Sequence, residues 1–525
     1  MVSGVITASL LRVTVDTAYE ISLILCPTKA RAWRRTQGLR AACDPGGEAM
    51  EADVSRGVAV VLGAGMGGLL AARVLADFYD IVLMVERDSL PVEPVPRRGV
   101  PQDRQPHALT MRSTQILAEL FPGILDQLLA AGAMVWNDGD LSRLRMAVGG
   151  HQFVDWGTIP DPASVAIYCV SRPLLEWTLR QRVHQLTNVE IIDGHDVVGL
   201  TATSDRHQVT GVLIAESGRG GHARTLRADL VVDATGRGSR APTFLEGLGY
   251  ARPAEEELVV HTAYSTMPVR TPPGAMREMI VNLVPHPGCA TSFVMFGCEN
   301  GVYLVGACTV SGGQLPAKAS ELLDFANELA PPHALAAARA GDPVADVSTY
   351  RFASSRWRRY DKVARLPAGL LVFGDAICSV NPIYGQGITL ATIEAIVLRR
   401  CLQRYPDDVP RRFFRASAKE IRKAWQTATG SDLALPQVKG RPPLITRINN
   451  AYLDRVLLAT EIDRTVVQQF LRVISSMDPP SRLLRPSIIA RVVYAHCRRR
   501  RAHNDASSQR MVPAQAHFVD SRFRD

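Results

Sequence analysis

Residues 58–68 read VAVVLGAGMGG, an apolar run that leads into a glycine-rich loop. Five consecutive apolar residues, Val58 to Leu62, are typical of a central parallel strand that is buried on both faces. The loop has the G-x-G-x-x-G spacing, and the residues from Leu69 to Asp77 predict a helix directly after it. This order of strand, glycine loop and helix is typical of a dinucleotide-binding unit.

The residues around this loop have the chemistry that such a unit needs. Gly63 permits a tight turn, Gly65 lets the backbone approach a pyrophosphate, and Gly68 permits close packing of helix on strand. Free N–H groups at the helix start attract an anion. A second apolar strand, Ile81 to Val85, ends in Glu86, which is placed to accept hydrogen bonds from ribose hydroxyls.

Two later segments repeat the pattern of an apolar strand followed by a turn of small residues. The first strand starts at Ala228 and leads into Ala234-Thr235-Gly236. The second starts at Gly369 and leads through Gly374-Asp375-Ala376 to Gly385-Gln386-Gly387, where a helix is predicted to run to about Gln403. Three such loops predict one parallel sheet built from distant segments, with a large cofactor across its carboxyl edge.

The chain therefore divides into a discontinuous cofactor domain with an inserted domain. The fold class predicted is α/β: a Rossmann-like cofactor-binding domain, an inserted antiparallel-sheet domain and a C-terminal helical region. The predicted bounds are 57–145, 165–245 and 350–405 for the cofactor domain, 146–164 and 246–349 for the inserted domain, 406–497 for a helical cap, and 498–525 for a disordered basic tail. Residues 1–56 are predicted to be a disordered extension or a mis-called start upstream of Met50.

Composition and charge exclude several classes of protein. The 525 residues are 46% hydrophobic and 21% charged, which is typical of a globular protein. The net charge of +9 lies mostly in the tail, because residues 490–525 hold eight Arg against three Asp. No zinc-finger spacing or aromatic-studded basic stripe indicates nucleic-acid binding. The nine Cys form no CxxC pair, which favours a reduced, cytoplasmic protein without a metal site.

The combined motifs resemble the class A FAD-dependent monooxygenases, the fold group of para-hydroxybenzoate hydroxylase and squalene epoxidase. Within that group the chain looks most like the actinobacterial polyether epoxidases. The resemblance spans roughly residues 58–493. It is carried by the glycine loop with Glu86-Arg87-Asp88, by Arg98 to Gln102 with His107 and Leu109, by Ser171 to Glu176, by Ala234 to Gly236, and by Gly374 to Gly387.

The resemblance implies FAD as cofactor and a role for each matching position. The cofactor domain would then be a Rossmann-like FAD-binding domain of the glutathione-reductase type, and the inserted antiparallel sheet would be the substrate domain. Asp375 would bond the ribityl chain, and the turn at Gly385 to Gly387 would lie at the isoalloxazine edge that carries negative charge when reduced. Arg172 would reach the cofactor from a neighbouring helix, with a surface ion pair as the alternative. The predicted cofactor-binding set is Gly63, Ala64, Gly65, Gly67, Gly68, Glu86, Arg87, Arg98, His107, Arg172, Thr235, Gly236, Gly374, Asp375, Pro382, Gly385, Gln386 and Gly387.

The reaction chamber offers fewer candidates. The substrate-chamber candidates are Tyr384 and His261. His261 lies on a predicted strand of the inserted domain, where a His is more often a half-buried structural residue than a catalyst. No catalytic acid, base or nucleophile is identified, since oxygen transfer from a flavin hydroperoxide needs mainly shape, alignment and exclusion of water. Thr235-Gly236 stands where the family usually has Asp-Gly, so the electron donor is left open between NAD(P)H and a partner flavin reductase.

The function implied is an FAD-dependent monooxygenase, an epoxidase or hydroxylase, that inserts one oxygen atom from O2 into a lipophilic small molecule through a flavin C4a-hydroperoxide. The alternatives are a geranylgeranyl-reductase-like saturase and a non-redox flavin isomerase or cyclase. A halogenase is disfavoured because no Lys occurs between Lys29 and Lys318, whereas those enzymes use a tunnel Lys. The segment Ser487 to Cys497 with Arg498 to Arg501 predicts an amphipathic basic helix, either solvated or in contact with a membrane surface.

Overall fold

The computed structural model describes residues 57–218, 222–310 and 312–509. The predicted extension 1–56 and the last part of the predicted tail, 510–525, lie outside these ranges. In chain order the strands are β1 Val58–Leu62, β2 Ile81–Val85, β3 Ala108–Thr110, β4 Met134–Trp136, β5 Leu144–Val148, β6 His151–Gln152, β7 Ile167–Cys169, β8 Val189–Ile192, β9 His195–Ala202, β10 Val209–Glu216, β11 Arg224–Arg227, β12 Leu230–Asp233, β13 Glu255–Arg270, β14 Ile280–Leu283, β15 Thr291–Gly297, β16 Val302–Thr309, β17 Asp342–Pro343, β18 Ser348–Arg358, β19 Leu370–Val372 and β20 Cys378–Ser379.

The helices are numbered in the same chain order. They are α1 Met66–Leu75, α2 Met111–Leu120, α3 Ile124–Ala130, α4 Arg172–His184, α5 Ala241–Gly247, α6 Ala319–Phe325, α7 Pro332–Ala340, α8 Gly387–Arg404, α9 Val409–Asp432, α10 Leu444–Thr460, α11 Arg464–Ile474 and α12 Pro486–Gln509. Among the described residues, none of these helices combines the length and apolar character that a bilayer span requires.

A five-stranded parallel sheet forms the centre of the cofactor domain, in the order β19-β12-β1-β2-β8. Every neighbouring pair in it is parallel. The three strands that precede the small-residue loops are therefore adjacent, as the sequence predicted, and their carboxyl ends meet at one edge. Burial explains why β1 and β12 are continuous apolar runs: Ala59, Val60, Val231 and Val232 have no exposed surface, because helices such as α1 cover one face and the three-stranded sheet β11-β10-β9 packs on β12 and β2.

The inserted domain is a second, mainly antiparallel sheet in the order β20-β18-β13-β16-β15-β14-β5-β6, with β17 beside β13. Only β5 and β14 pair in parallel within it. The α/β fold class with an inserted sheet and C-terminal helices is thus confirmed. The boundary drawn after residue 349 needs correction, because β18 continues to Arg358 and pairs along β13, and β20 also belongs to this sheet.

The C-terminal helices pack in two places. In α9, Phe413 stacks on Phe373 with ring centroids 5.8 Å apart, which joins this helix to the core of the cofactor domain. Helices α10, α11 and α12 instead pack against the β5 and β6 side of the second sheet, where Phe470 meets Phe153 edge to face at 5.5 Å. Helix α12 runs to Gln509, so the segment from 498 to 509 is helical where a disordered tail was predicted.

Replacement of Gly68 tests the packing on which the cofactor domain depends. A Cβ atom at Gly68 would lie 1.8 Å from the carbonyl oxygen of Gly63, so Gly68→Ala must push α1 away from the loop. We expect a loss of about 2–3 kcal/mol in the free energy of unfolding, the upper range for overpacking. Gly247→Ala is the control, because a Cβ there meets nothing within 4 Å. Thermal unfolding of both variants should show a large drop for the first alone; equal stabilities would contradict this packing.

Candidate functional site

The three loops at the carboxyl edge of the parallel sheet touch one another. A Cβ atom at Gly67 would lie 3.5 Å from the Phe373 ring and 3.9 Å from the Ala234 side chain, and one at Gly374 would lie 4.0 Å from the Gly67 backbone. Gly63 and Gly374 have φ values of 93° and 66°, a left-handed conformation that favours glycine. The loops predicted from separate segments thus form one continuous surface.

Glu86 lies directly after β2, and each of its two carboxylate oxygens accepts a backbone hydrogen bond. It is buried, and it accepts hydrogen bonds from the backbone N–H groups of Ala64 at 2.7 Å and Asp88 at 3.1 Å. Its side chain thereby fixes the start of the glycine loop against the end of β2. An acid in this place can still present its remaining lone pairs to a ligand hydroxyl.

Arg97, which the sequence reasoning missed, lies at the centre of a buried charge cluster. Its guanidinium is 3.2 Å from Glu86, 3.2 Å from Asp88 and 2.8 Å from Glu176 on α4, and its side chain is 6% exposed. The predicted neighbour, Arg98, is exposed, and so is the predicted Arg87. The only available signal was the Arg-Arg pair itself, and it does not show which member points inward.

Arg172 opens α4 and is 7% exposed, with Glu176 one turn later at 3.4 Å. A cation at a helix N-terminus is electrostatically unfavourable, so its burial there needs a partner or a ligand. The Arg172 charge acts on both Asp375 and His107. Burial and this charge lower the pKa of His107 to about 4, which keeps the imidazole neutral at pH 7. Burial raises the pKa of Asp375, and Arg172 opposes that shift.

The second loop is held by Asp233 at the end of β12. Its carboxylate accepts from the Thr235 backbone N–H at 2.9 Å, from the Thr235 hydroxyl at 2.5 Å and from Ser239 at 2.8 Å. At the surface formed by the three loops, this turn therefore exposes the backbone of Thr235 and Gly236 and only one small side chain, that of Thr235. Arg237, in the same turn, donates to the Ser354 carbonyl at 2.6 Å and so joins the two sheets.

The third loop, which starts at Gly374, is held in place by Glu394, a residue of α8. Its side chain has no exposed surface, and it accepts the Gly374 N–H at 2.7 Å. Burial raises its pKa to about 8, so it is largely protonated at neutral pH. Asp375 lies beside the start of α8, since its Oδ1 is 3.9 Å from a Cβ placed on Gly387. Gly385 has φ 63°, and no side chain caps α8.

Two predicted residues have other surroundings. The Gln386 amide donates to the carbonyls of Tyr384 at 3.2 Å and Ile474 at 3.3 Å, so it joins the turn to α11. His261 has φ 48° and an exposed side chain at a register shift between β13 and β18. The strand pattern predicted that His261 faces the chamber, whereas the structure turns its side chain to the exterior. A β-bulge explains the difference, because it redirects the side chains of its strand.

A crevice too narrow to hold a water molecule lies between the turn before α8, the second sheet and the end of α9. Its lining is apolar except at one side, where three polar residues meet: Val284, Pro285, Val310, Ile383 and Leu435 are the apolar residues, and Asn381, Tyr384 and Asp432 are the polar ones. Tyr384, a predicted chamber residue, is thus in place. Asp432 is 48 residues from Tyr384 in the chain, and no sequence motif marks it.

The loop surface fits an extended dinucleotide. No side chain caps α1, so its first N–H groups are free to bind an anion. A Cβ at Gly65 would face only the tips of Arg97 and Glu176, at 3.8 and 3.9 Å, which leaves the backbone accessible to a phosphate. In the loop before His107, Oδ1 of Asp103 and Nε2 of Gln105 are buried without a hydrogen-bond partner among the described residues.

Comparisons with known proteins agree with this fit. A family model described as an FAD binding domain matches residues 57–405. Protein Rv3254 of Mycobacterium tuberculosis (strain ATCC 25618 / H37Rv) is 36% identical over 430 residues, 80% of this chain and 90% of the relative. The flavin-dependent brominase Bmp2 has a similar structure, with a TM-score of 0.58 at 15% identity, over 84% of this chain and 99% of that chain. The p-nitrophenol 4-monooxygenase PnpA of Pseudomonas putida DLL-E4 has a TM-score of 0.56 at 17% identity, and the match covers 80% of this chain and 98% of that chain.

Replacement of Arg97 tests the charge cluster. Arg97→Ala would remove the one cation that Glu86, Asp88 and Glu176 share, and we expect a loss of about 3–5 kcal/mol in the free energy of unfolding. Arg98→Ala, the adjacent control, should change stability by no more than about 0.5 kcal/mol, because its side chain is exposed. Urea unfolding of both variants measures the difference. Similar losses in the two variants would show that Arg97 is not the residue that neutralises the cluster.

Glu394→Gln tests the buried acid through pH. Because the pKa of Glu394 is raised to about 8, its protonated form stabilises the fold below the unfolded pKa of 4.5, and that stability is lost as pH rises toward 8. Gln is neutral throughout and can still accept the Gly374 N–H. The stability of the unaltered protein relative to Glu394→Gln should therefore fall between about pH 5 and pH 8, by up to roughly 1.4 kcal/mol per pH unit. Parallel stability profiles would contradict the raised pKa.

Proposed function

The chain belongs to the FAD-binding-domain family, as the sequence resemblance predicted, and from this premise we propose that it is an FAD-dependent monooxygenase of lipophilic small molecules. Its oxidant is O2, and its electrons come from NAD(P)H or from a partner flavin reductase in the cytoplasm. The observation that carries the proposal is the meeting of three loops at one sheet edge, with Asp375 and the uncapped start of α8 beside an apolar crevice.

Different residues of this sheet edge would bind different parts of FAD. The backbone of the glycine loop would hold the pyrophosphate and Glu86 the adenosine ribose. Asp375 would hold the ribityl chain, and the turn from Gly385 to Gly387 would lie at the flavin ring. Reduced FAD, when bound, supplies the electrons that activate O2 for transfer of one oxygen atom.

The protein's own contribution to the reaction is electrostatic and steric. The free N–H groups at the start of α8 stabilise negative charge, which favours a reduced ring at this position. His107 is neutral at pH 7 because burial and the Arg172 charge lower its pKa to about 4, so Arg172 rather than the imidazole is the cation that acts on Asp375. The crevice beside the turn before α8 is too narrow to hold a water molecule, so water is excluded next to the place assigned to the flavin ring.

Halogenation, which the structural similarity to a brominase raises, is less well supported. Halogenases of this fold use a Lys between flavin and substrate, whereas no Lys lines the crevice among the described residues. Lys318, the first Lys after residue 29, is 78% exposed and lies 3.1 Å from Glu321. Oxygen transfer needs no such group.

Purified protein supplied with FAD should show a bound-flavin spectrum. After anaerobic reduction it should reoxidise rapidly in air, and with isotope-labelled O2 a lipophilic alkene or phenol should gain one labelled oxygen atom. Reduction of a double bond without gain of oxygen would favour a saturase. Turnover in the absence of any reductant would favour an isomerase or cyclase. Folded protein that binds no flavin would refute the proposal.

Asp375→Ala tests the cofactor site itself. Loss of a half-buried carboxylate that would accept a ribityl hydrogen bond should weaken FAD binding by roughly tenfold or more, as for a charged hydrogen bond. Asp346→Ala, in an exposed part of the inserted domain, is the matched control. Equilibrium dialysis of FAD against both variants gives the two dissociation constants. Equal constants would exclude Asp375 from the FAD site.

A further inference from the structure

The C-terminal region from α10 to α12 holds half of the exposed large apolar side chains in the described part of the chain. Sixteen such side chains are exposed among the described residues, and eight of them lie between residues 444 and 494. These eight are Leu444, Ile445, Ile448, Ile462, Leu484, Ile489, Val493 and Tyr494. Single exposed apolar residues are normal on a protein surface, whereas a concentration of them marks a surface that binds a partner.

Helix α12 is apolar on more than one side over its first three turns. Ile488, Val492 and Ala495 are buried in the core that this helix shares with α10 and α11. Ile489 and Val493, which lie one turn apart on another side, are 38% and 55% exposed. A helix that is apolar all round is normally buried all round. The outer side of α12 therefore calls for a partner beyond the described part of this chain.

Helix α10 packs beside α12 and is also apolar where it is exposed. The Tyr452 hydroxyl of α10 donates to the carbonyl of Leu483, just before α12, at 2.7 Å. In the first turns of α10, the side chains of Leu444, Ile445 and Ile448 are 69%, 57% and 56% exposed. The exposed apolar residues thus belong to two helices that are packed on each other.

The same region carries a large excess of positive charge. Residues 439–501 contain thirteen Lys and Arg against four acidic residues. Each of the four acids lies within ion-pair distance of a basic side chain of the protein: Asp454 and Glu461 contact His151, Asp463 contacts Arg491, and Asp478 contacts Arg472. The acids are therefore engaged within the protein, and the outward charge of this region is positive.

The exposed cations of α12 lie next to its apolar side. Arg500 follows Val493 by about two turns, so it continues the line of Ile489 and Val493 along the helix. Arg498 and Arg501 are exposed as well, and none of these three Arg pairs with a carboxylate of the described residues. The helix thus presents an apolar strip that ends in unpaired positive charge.

An anionic lipid surface matches this strip better than a second copy of the chain. Acyl chains accept the apolar residues, while lipid phosphates accept the Arg side chains, whose long stems let the charge reach the headgroups. Tyr494 is 64% exposed, and its ring with a polar tip is typical of the boundary between water and lipid. A second copy would instead bring an equally positive surface against this one.

We propose that the outer side of α12, with the exposed start of α10, binds the surface of membranes that contain anionic lipids. Ile489 and Val493 insert at the boundary between headgroups and acyl chains, and the Arg residues from 498 to 501 bind lipid phosphates. The protein associates with the membrane surface through this contact. The binding is a property of the surface and does not depend on the reaction that the protein catalyses.

Vesicle flotation of the full-length, FAD-loaded protein tests the proposal. Vesicles made of equal parts of phosphatidylcholine and phosphatidylglycerol should bind the protein at least roughly tenfold more tightly than vesicles of phosphatidylcholine alone, because each Arg near an anionic surface adds to the attraction. Raising the salt from about 0.1 M to about 0.5 M should weaken this binding, since salt screens the charges. Equal binding to both kinds of vesicle, or binding to neither, would overturn the inference.

Two exposed apolar positions locate the contact on α12. A protein with both Ile489→Ser and Val493→Ser should bind the anionic vesicles roughly tenfold or more weakly, because it loses two apolar side chains that enter the lipid. The matched control carries Val198→Ser and Val344→Ser, whose side chains are 42% and 47% exposed on the rest of the surface. The control should bind as the unaltered protein does. Equal affinities of the two variants would overturn the assignment to α12.

The charges are tested in the same way. A protein with both Arg500→Gln and Arg501→Gln should also bind the anionic vesicles roughly tenfold more weakly, at unchanged binding to neutral ones. Arg411→Gln with Arg415→Gln is the control, because it removes two exposed cations from α9 instead. An equal loss in this control would show that net charge alone attracts the lipid, and would overturn the inference.

Sedimentation velocity without vesicles distinguishes lipid from a second copy. The account predicts no dimer that depends on Ile489 and Val493. A concentration-dependent dimer that the two Ser substitutions abolish, in a protein that does not float with anionic vesicles, would overturn the inference in favour of a contact between copies.

Discussion

Direct contact between the backbones of three loops is the constraint on which the rest of the structure depends. Gly68 packs against the Gly63 carbonyl so closely that no side chain fits, and Gly67 lies against Ala234 and Phe373 from the next two loops. Strands from three distant parts of the chain can bring their ends this close only in one parallel sheet. The inserted sheet and the C-terminal helices are arranged around that edge.

Buried charged groups hold the loops in place, and their function is positional. Glu86 receives two backbone N–H groups, Glu394 receives one, and Asp233 organises the turn after β12. Buried ion pairs contribute little net stability compared with apolar packing, since desolvation offsets their attraction. What the cluster around Arg97 provides is a fixed arrangement: β2, the following loop and α4 are joined through one guanidinium.

The sequence predicted the parts of the molecule that depend on local patterns. The β1–α1–β2 unit, the glycine loop and the turns at Gly236 and Gly374 have short-range signals, because continuous apolar runs and glycines at fixed spacing have few other interpretations. Side-chain direction within a loop has no such signal. The sequence therefore predicts Arg98 at the cofactor site, whereas the structure buries its neighbour Arg97. Asp432 and Glu394 reach the site through contacts across tens of residues, and only the packed helices α8 and α9 bring them there.

The proposed site is an FAD-binding edge formed by three loops, with a narrow crevice beside the turn before α8. A crystal structure of the FAD-loaded protein tests this arrangement most directly. The account predicts the pyrophosphate at the start of α1, the ribityl chain beside Asp375, and the flavin ring between the turn at Gly385 and the crevice that Asp432 lines. A flavin ring bound away from that turn, with the crevice closed off from it, would contradict the account.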